Sequence, residues 1–254
     1  MAQILKRNFK FIISYDGTRY HGWERQPGKD MTIQGKLEAV LNKMVGNSGD
    51  LAVNLIGAGR TDAGVHARAM TANVFLETDM SEDEIQSYMN EYLPEDISVN
   101  EVKVCSDRFH ARYNAVGKTY RYTLWYGVSK PVFDRKYVTI LDKKPDTEAM
   151  RAASLHLLGT HDFKSFCGNT KMKKSTVRCV DTINIEESGN YIRLYFHGNG
   201  FLQNMVRILT GTLLEVGYGN IRPDEVKDIL DACDRQKAGP TAPPQGLALM
   251  KVDY

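Results

Sequence analysis

The feature that most limits how this chain can fold is an order of hydrophobic periodicities that occurs twice. The run Phe9–Tyr15, ended by Asp16-Gly17, predicts a strand. Thr32 then stands ahead of Ile33, Leu37, Val40, Leu41 and Met44 at helical spacing, so a Thr32-capped helix runs to about Val45. Leu51–Ile56 and Met70–Phe75 predict two more strands, and Ser81 with Glu84 predicts a capping box opening a helix that ends before Pro94. Ile97–Val104 alternates like a half-buried strand, which completes β-α-β-β-α-β. The second half has a long alternating strand at Gly117–Tyr126, a helix at Thr147–Leu158, and strands near 176–187 and 191–197 turned by Ser188-Gly189-Asn190. A helix from Phe201 to about Val216, an extra short one at 223–232 and a closing strand at Leu247–Val252 repeat the order. No repeat in the residues themselves accompanies it. The expected fold is α+β: two tandem split-βαβ (ferredoxin- or RRM-like) halves, 1–112 and 113–254, with a central, mostly antiparallel sheet and a cleft where the halves meet.

A length of 254 residues suits two domains of about 100–150 residues. Thirty-three Lys and Arg against thirty-one Asp and Glu leave a net charge of +2, so total charge selects no partner and only its distribution can. Cys105, Cys167, Cys179 and Cys233 are scattered without a C-x-x-C pair, which reads as reduced thiols in a cytosolic protein. Met1–Arg7 has no apolar signal core, and no run approaches the roughly eighteen apolar residues of a membrane span. The expectation is a soluble, cytoplasmic protein.

Between two predicted strands lies Gly57-Ala58-Gly59-Arg60-Thr61-Asp62-Ala63-Gly64-Val65-His66. Its three glycines permit close approaches that larger residues resist, and they present Arg60 and Asp62 together. Such loops are commonly plain hairpin turns with solvated charges, yet loops on rigid scaffolds also carry sites. The segment lacks the Gly-Lys-Ser/Thr ending of a phosphate-binding P-loop. The whole string closely resembles the Gly-Arg-Thr-Asp-Ala-Gly-Val-His segment of the TruA family of tRNA pseudouridine synthases. That resemblance implies that Asp62 is the essential catalytic residue and that Arg60 helps hold a flipped nucleotide.

Other segments extend the resemblance in order along the chain. In Thr18–Pro27, Tyr20 and Trp23 among Arg19 and Arg25 can either stack on bases or staple a loop to the core, and both readings stay open. Arg108-Phe109-His110-Ala111-Arg112 is similar to the family's Phe-His-Ala-Arg motif beside the active site, which implies RNA contacts from Arg108, His110 and Arg112. In Tyr120-Arg121-Tyr122, alternation puts both tyrosines on one strand face. The resemblance assigns Tyr120 to packing against the target uracil. From Lys164 to Arg178 the chain carries Lys164, Lys171, Lys173, Lys174 and Arg178 and no acid, a bias suited to phosphate neutralisation.

Arg207 falls in an apolar helix and needs an anionic partner, which the resemblance supplies as Asp62. The chain departs from the family pattern at Gln203-Asn204, since many members of the family carry a basic residue where Gln203 or Asn204 stands. Ala238–Leu249 resembles the family's Thr-Ala-Pro…Gly-Leu segment, which implies that Leu247 walls the base pocket.

The family reaction breaks the uridine N1–C1′ bond, turns the uracil and rejoins it through C5. Nothing is lost or gained, so no cofactor is expected. The resemblance also implies positions 38 to 40 of the tRNA anticodon stem-loop as substrate, and a homodimer. The six histidines form no H-E-x-x-H pair, so no metal is expected. Two other classes compete. An RRM-like RNA-binding module fits the element order, but Lys118–Trp125 lacks the glycines of RNP1. A phosphoryl-transfer enzyme would show a P-loop or a magnesium-binding carboxylate cluster.

Overall fold

The computed structural model describes residues 6–46 and 52–254. Met1–Leu5 of the N-terminal segment, and Leu51 at the start of the predicted second strand, lie outside the described residues. The chain forms two compact units, one of residues up to Ala115 with Leu249–Tyr254, the other of Val116–Ala248.

The first unit contains β1 (Lys6–Tyr15), α1 (Ile33–Val45), β2 (Ile56–Gly57), β3 (His66–Glu77), α2 (Glu82–Tyr92) and β4 (Ile97–Cys105). Its strands lie in the order β4-β1-β3, all antiparallel, with β2 on β3, which is the split-βαβ arrangement. Phe9, Phe11 and Ile13 alternate into a core that also buries Ile33, Leu37, Leu41, Met70, Ile85 and Met89. Each such side chain contributes about 1.5–3 kcal/mol when fully buried. Thr32 caps α1, left-handed Gly46 ends it, and α2 carries the expected Ser81–Glu84 capping box.

The strand predicted over 51–56 is reduced to Ile56–Gly57. Polar side chains of α1 take the backbone groups that a ladder would use. The Val53 amide donates to Asn42 Oδ1 at 2.8 Å, the Leu55 amide donates to Glu38 Oε1 at 2.9 Å, and Gln34 Nε2 donates to the Leu55 carbonyl at 3.0 Å. Burial pushes the Glu38 carboxyl up from its ordinary range, opposed by the Leu55 amide and by Arg25, whose Nε stands 2.8 Å away.

The second unit contains β5 (Gly117–Tyr126), β6 (Thr139–Leu141), α3 (Thr147–Leu155), β7 (Gly159–Asp162), β8 (Val177–Ser188), β9 (Tyr191–Gly198), α4 (Met205–Gly217) and α5 (Glu225–Asp231). Strands β5-β9-β8-β7 are antiparallel, and β6 runs parallel to β5. Because β9 lies between β5 and β8, which α3 connects, this is again a split-βαβ unit. The last strand, β10 (Leu247–Asp253), ends in the first unit beside β3. Three- and four-residue strands are too short to show alternation, so β6 and β7 were not foreseen.

Helix α4 begins at Met205, four residues later than the periodicity predicts. Asn204 has φ 58°, a left-handed conformation that asparagine tolerates but that cannot continue a helix back to Phe201. Helix α3 likewise stops at Leu155, short of Leu158, with His156 as its C-cap.

Tyr122 is fully buried, and its hydroxyl donates to the Pro243 carbonyl at 2.6 Å while accepting from Thr139 Oγ1 at 2.6 Å. It thereby pins the proline-rich segment to β5, and burial drives its phenol pKa far above the ordinary value. Tyr122→Phe strands the Pro243 carbonyl, so we expect a loss of about 1–3 kcal/mol in stability, read from the urea midpoint. An unchanged midpoint would show that this clamp contributes nothing.

Candidate active site

The Asp62 loop belongs to the first unit and is braced from both sides by residues 15–23. Thr61 is buried; its hydroxyl shares a 2.8 Å hydrogen bond with the Tyr15 phenol, and its carbonyl accepts from the Trp23 amide at 3.1 Å. Next, the Val65 amide donates to the Asp62 carbonyl at 3.2 Å. With Gly64 at φ 76°, this closes a tight turn of the type II pattern. The Gly64 amide reaches back to the Tyr20 carbonyl at 3.3 Å. Asp62, at the first position of that turn, is half-buried, whereas Arg60 is exposed.

Glycines make the bracing possible. A Cβ on Gly17 would lie 2.0 Å from the Val65 carbonyl oxygen, and one on Gly57 would lie 2.6 Å from the Trp23 ring. The Gly17 amide donates to His66 Nδ1 at 3.0 Å, which ties the start of β3 to the end of β1. The same Nδ1 stands 3.2 Å from Asp16 Oδ1.

Tyr20 and Trp23 are each only 2% exposed, which decides between the two readings of that segment. They staple the loop to the core and cannot stack on bases. Burial, helped by its 2.6 Å hydrogen bond to Asp96, pushes the Tyr20 phenol up to about 12. Arg60 Nη1 pairs with Glu24 Oε2 at 2.8 Å, a partner that sequence alone did not reveal. Both side chains are largely exposed, so this pair is weak and yields easily to a phosphate.

Arg108, His110 and Arg112 stand in the segment after β4, also in the first unit. The two arginines are exposed, and His110 Nδ1 accepts from the backbone amides of Arg112 and Tyr113.

In the second unit, Tyr120 lies on β5 with its ring edge-on to Phe201, centroids 5.2 Å apart. Arg207, in the first turn of α4, donates from Nε to the Ala242 carbonyl at 2.7 Å and from Nη1 to Asn204 Oδ1 at 2.9 Å. Asn204 thus sets both the start of α4 and the aim of Arg207, a double role that its neighbours in sequence do not signal. Leu247 is buried as β10 begins.

The basic segment rises from a fixed base. Phe163 and Phe166 are fully buried, and Ser165 Oγ donates to the Ile229 carbonyl at 2.6 Å. The Gly168 amide donates to the Gln203 carbonyl at 2.8 Å. Beyond it, Lys171, Lys173 and Lys174 are exposed, while Arg178 is partly spent on the carbonyls of Ser175 and Val177. Among the described residues, no group of three His, Cys, Asp or Glu could hold a metal ion. No helix there is long and apolar enough to cross a membrane.

A family model described as tRNA pseudouridine synthase matches residues 11–114 and 153–254, which include the Asp62 loop, the 108–112 segment, the basic segment and α4. Residues 115–152, with Tyr120 and Tyr122, fall outside that match but inside the full-length alignments. The chain is 42% identical over 247 residues to tRNA pseudouridine synthase A 2 of Bacillus cereus, covering 97% of this chain and 99% of that protein. It is 44% identical over 247 residues to tRNA pseudouridine synthase A of Bacillus sp. strain KSM-64, with the same coverage. With the enzyme of that name from Thermoanaerobacter sp. strain X514 it shares 43% over 248 residues, covering 98% of this chain and 100% of the relative. The chain belongs to the TruA family of tRNA pseudouridine synthases.

Proposed function

We propose that this protein isomerises uridine to pseudouridine in tRNA with Asp62 as its catalytic carboxylate. The observation that carries the reading is the Asp62 turn itself, held at Thr61, Gly64 and Val65 by backbone contacts, inside a family match that spans nearly the whole chain. A pre-set carboxylate loses little positional entropy on meeting its substrate.

The isomerisation breaks N1–C1′, makes C5–C1′, moves a proton off C5 and leaves one on N1. The atoms balance within the nucleotide, so the protein has only to position the base and stabilise the cleavage. As a carboxylate, Asp62 serves as a nucleophile at C1′ or C6 or as a base at C2′; each role needs the nucleotide flipped out of its stack. Tyr120 presents a ring already oriented by Phe201 and packs against the uracil. Its neighbour Tyr122 is unavailable, since its hydroxyl is committed to Pro243 and Thr139. Leu247 adds apolar wall, Arg207 contributes fixed positive charge, and Arg60 leaves Glu24 for a phosphate.

The substrate uridines are those at positions 38 to 40 of the anticodon arm, as in the family. The enzyme works in the cytoplasm and, as the family resemblance implies, as a homodimer, since one small protein does not easily grip a whole tRNA and act on it at once. To test the reaction, an unmodified tRNA transcript with uridines in the anticodon arm is incubated with purified protein in EDTA and its pseudouridine content measured. Conversion is expected; none, despite tight binding, would leave an RNA-binding module.

Lys171, Lys173 and Lys174 neutralise phosphates. Changing all three to Gln should weaken transcript binding and flatten the dependence of log Kd on log salt by up to about 2. An unchanged slope would take these lysines off the RNA.

A further inference from the structure

The segment after β4 does something that its arginines alone do not require. Tyr113 is 79% exposed, which leaves its ring open to a partner in solution. It is nonetheless not loose: its ring stacks on His110, with centroids 4.1 Å apart and planes 25° from parallel.

The imidazole beneath it is fixed in turn. Both the Arg112 and Tyr113 amides donate to His110 Nδ1 at 3.2 Å, so the ring is held by the backbone of the residue that stacks on it. Asn114 closes the turn, its Oδ1 taking the His110 amide at 2.7 Å and its amide donating to the His110 carbonyl at 3.0 Å.

The base of the segment is tied to the sheet. Buried Asn8 and Asn73 hydrogen-bond to each other, and between them they hold the Ser106 and Phe109 carbonyls and the Ala111 amide. The Tyr254 hydroxyl donates to the Ala111 carbonyl at 2.8 Å. A rigid foot thus carries an exposed, pre-stacked aromatic pair. Arg108 and Arg112 flank it, both exposed and neither ion-paired with a described residue.

We propose that the His110–Tyr113 stack is a platform for an unpaired base of the RNA, with Arg108 and Arg112 holding the phosphates on either side. A phenol face accepts any base, and prior stacking on His110 removes the rotamer freedom that binding would otherwise freeze. Cations without carboxylate partners favour a polyanion over a protein surface here. The proposal rests on the tRNA-modifying reading above but concerns a different step: gripping the strand rather than reacting with it.

The test compares wild type, Tyr113→Ala and Tyr113→Phe in binding to an unmodified tRNA transcript and to a fully paired RNA duplex, across a salt series, with pseudouridine formation measured in parallel. Tyr113→Ala should weaken transcript binding about ten-fold. Its salt slope, its melting temperature and its duplex binding should stay at wild-type values. Tyr113→Phe should bind like wild type, because the face and not the hydroxyl does the work. Transcript binding unchanged in Tyr113→Ala overturns the platform, as does equal weakening for transcript and duplex, which would point to phosphates or local structure. A change in oligomeric state in Tyr113→Ala overturns it as well, in favour of a contact between copies. If wild type forms no pseudouridine while the Tyr113 pattern appears, the platform stands and the enzymatic reading falls; pseudouridine formation with no Tyr113 effect on binding does the reverse.

Discussion

Asp62→Ala should lower pseudouridine formation by at least about 10³-fold while the Kd for a tRNA transcript stays within about two-fold of wild type. The two numbers separate because they are set by different atoms. Affinity for an RNA comes mainly from cations on phosphates and from stacking, and Asp62 supplies neither. Turnover needs a carboxylate at the reacting sugar or base, and alanine leaves none. The backbone bonds that shape the turn come from Thr61, Asp62, Gly64 and Val65 main-chain atoms, so truncating the Asp62 side chain leaves that bonding in place. Asp62→Asn is the sharper variant, since it keeps volume and hydrogen bonding but loses the charge; it should be as inactive as Asp62→Ala. Single-turnover assays with enzyme in excess, beside filter binding at matched salt, measure both quantities. Equal loss of binding and turnover would make Asp62 a structural residue and end the catalytic assignment.

What the sequence makes legible here is what periodicity and local chemistry determine. The Thr32 cap and the Ser81–Glu84 box stand where predicted, because each needs only residues three apart. The α+β order and its two split-βαβ units follow from runs long enough to show a period. The failures share a different cause. Residues 52–55 read as strand by composition but are held by Gln34, Glu38 and Asn42, which come from a helix eleven or more positions earlier. Helix α4 starts late through one left-handed residue, Asn204, amid an unbroken apolar pattern. At the candidate site, the Asp62 loop and its neighbours were visible as motifs. The Glu24 partner of Arg60, the burial of Tyr20 and Trp23, and the stack of Tyr113 on His110 were not, since each depends on which surfaces meet after folding.

The bracing of the Asp62 loop makes Gly22 the position where the smallest chemical change should have a large effect. Gly22 has φ 96°, and a Cβ there would lie 2.6 Å from the Thr61 carbonyl oxygen and 3.2 Å from the Asp62 carbonyl carbon. Gly22→Ala therefore faces two penalties, a strained backbone and a clash with the main chain of the catalytic turn, together about 2–4 kcal/mol. For a protein of this length that is a fall of roughly 5–15 °C in Tm. Relief of the clash requires the Thr61-Asp62 backbone to retreat, and a shift of about 1 Å at a reacting group can cost about 10²-fold in rate. The expected result is thus a lower Tm together with a kcat reduced far more than the KM is raised. Gly28→Ala is the matched control: Gly28 has φ 72° but no atom within 4 Å of the added methyl, so it carries the strain without the clash. It should lose about 1–2 kcal/mol and keep its kcat. If Gly22→Ala is destabilised yet turns over at the wild-type rate per folded molecule, the position of the Asp62 turn is not what limits the chemistry. Segment 15–23 would then hold the fold alone, and the carboxylate would find its geometry only when the RNA is bound.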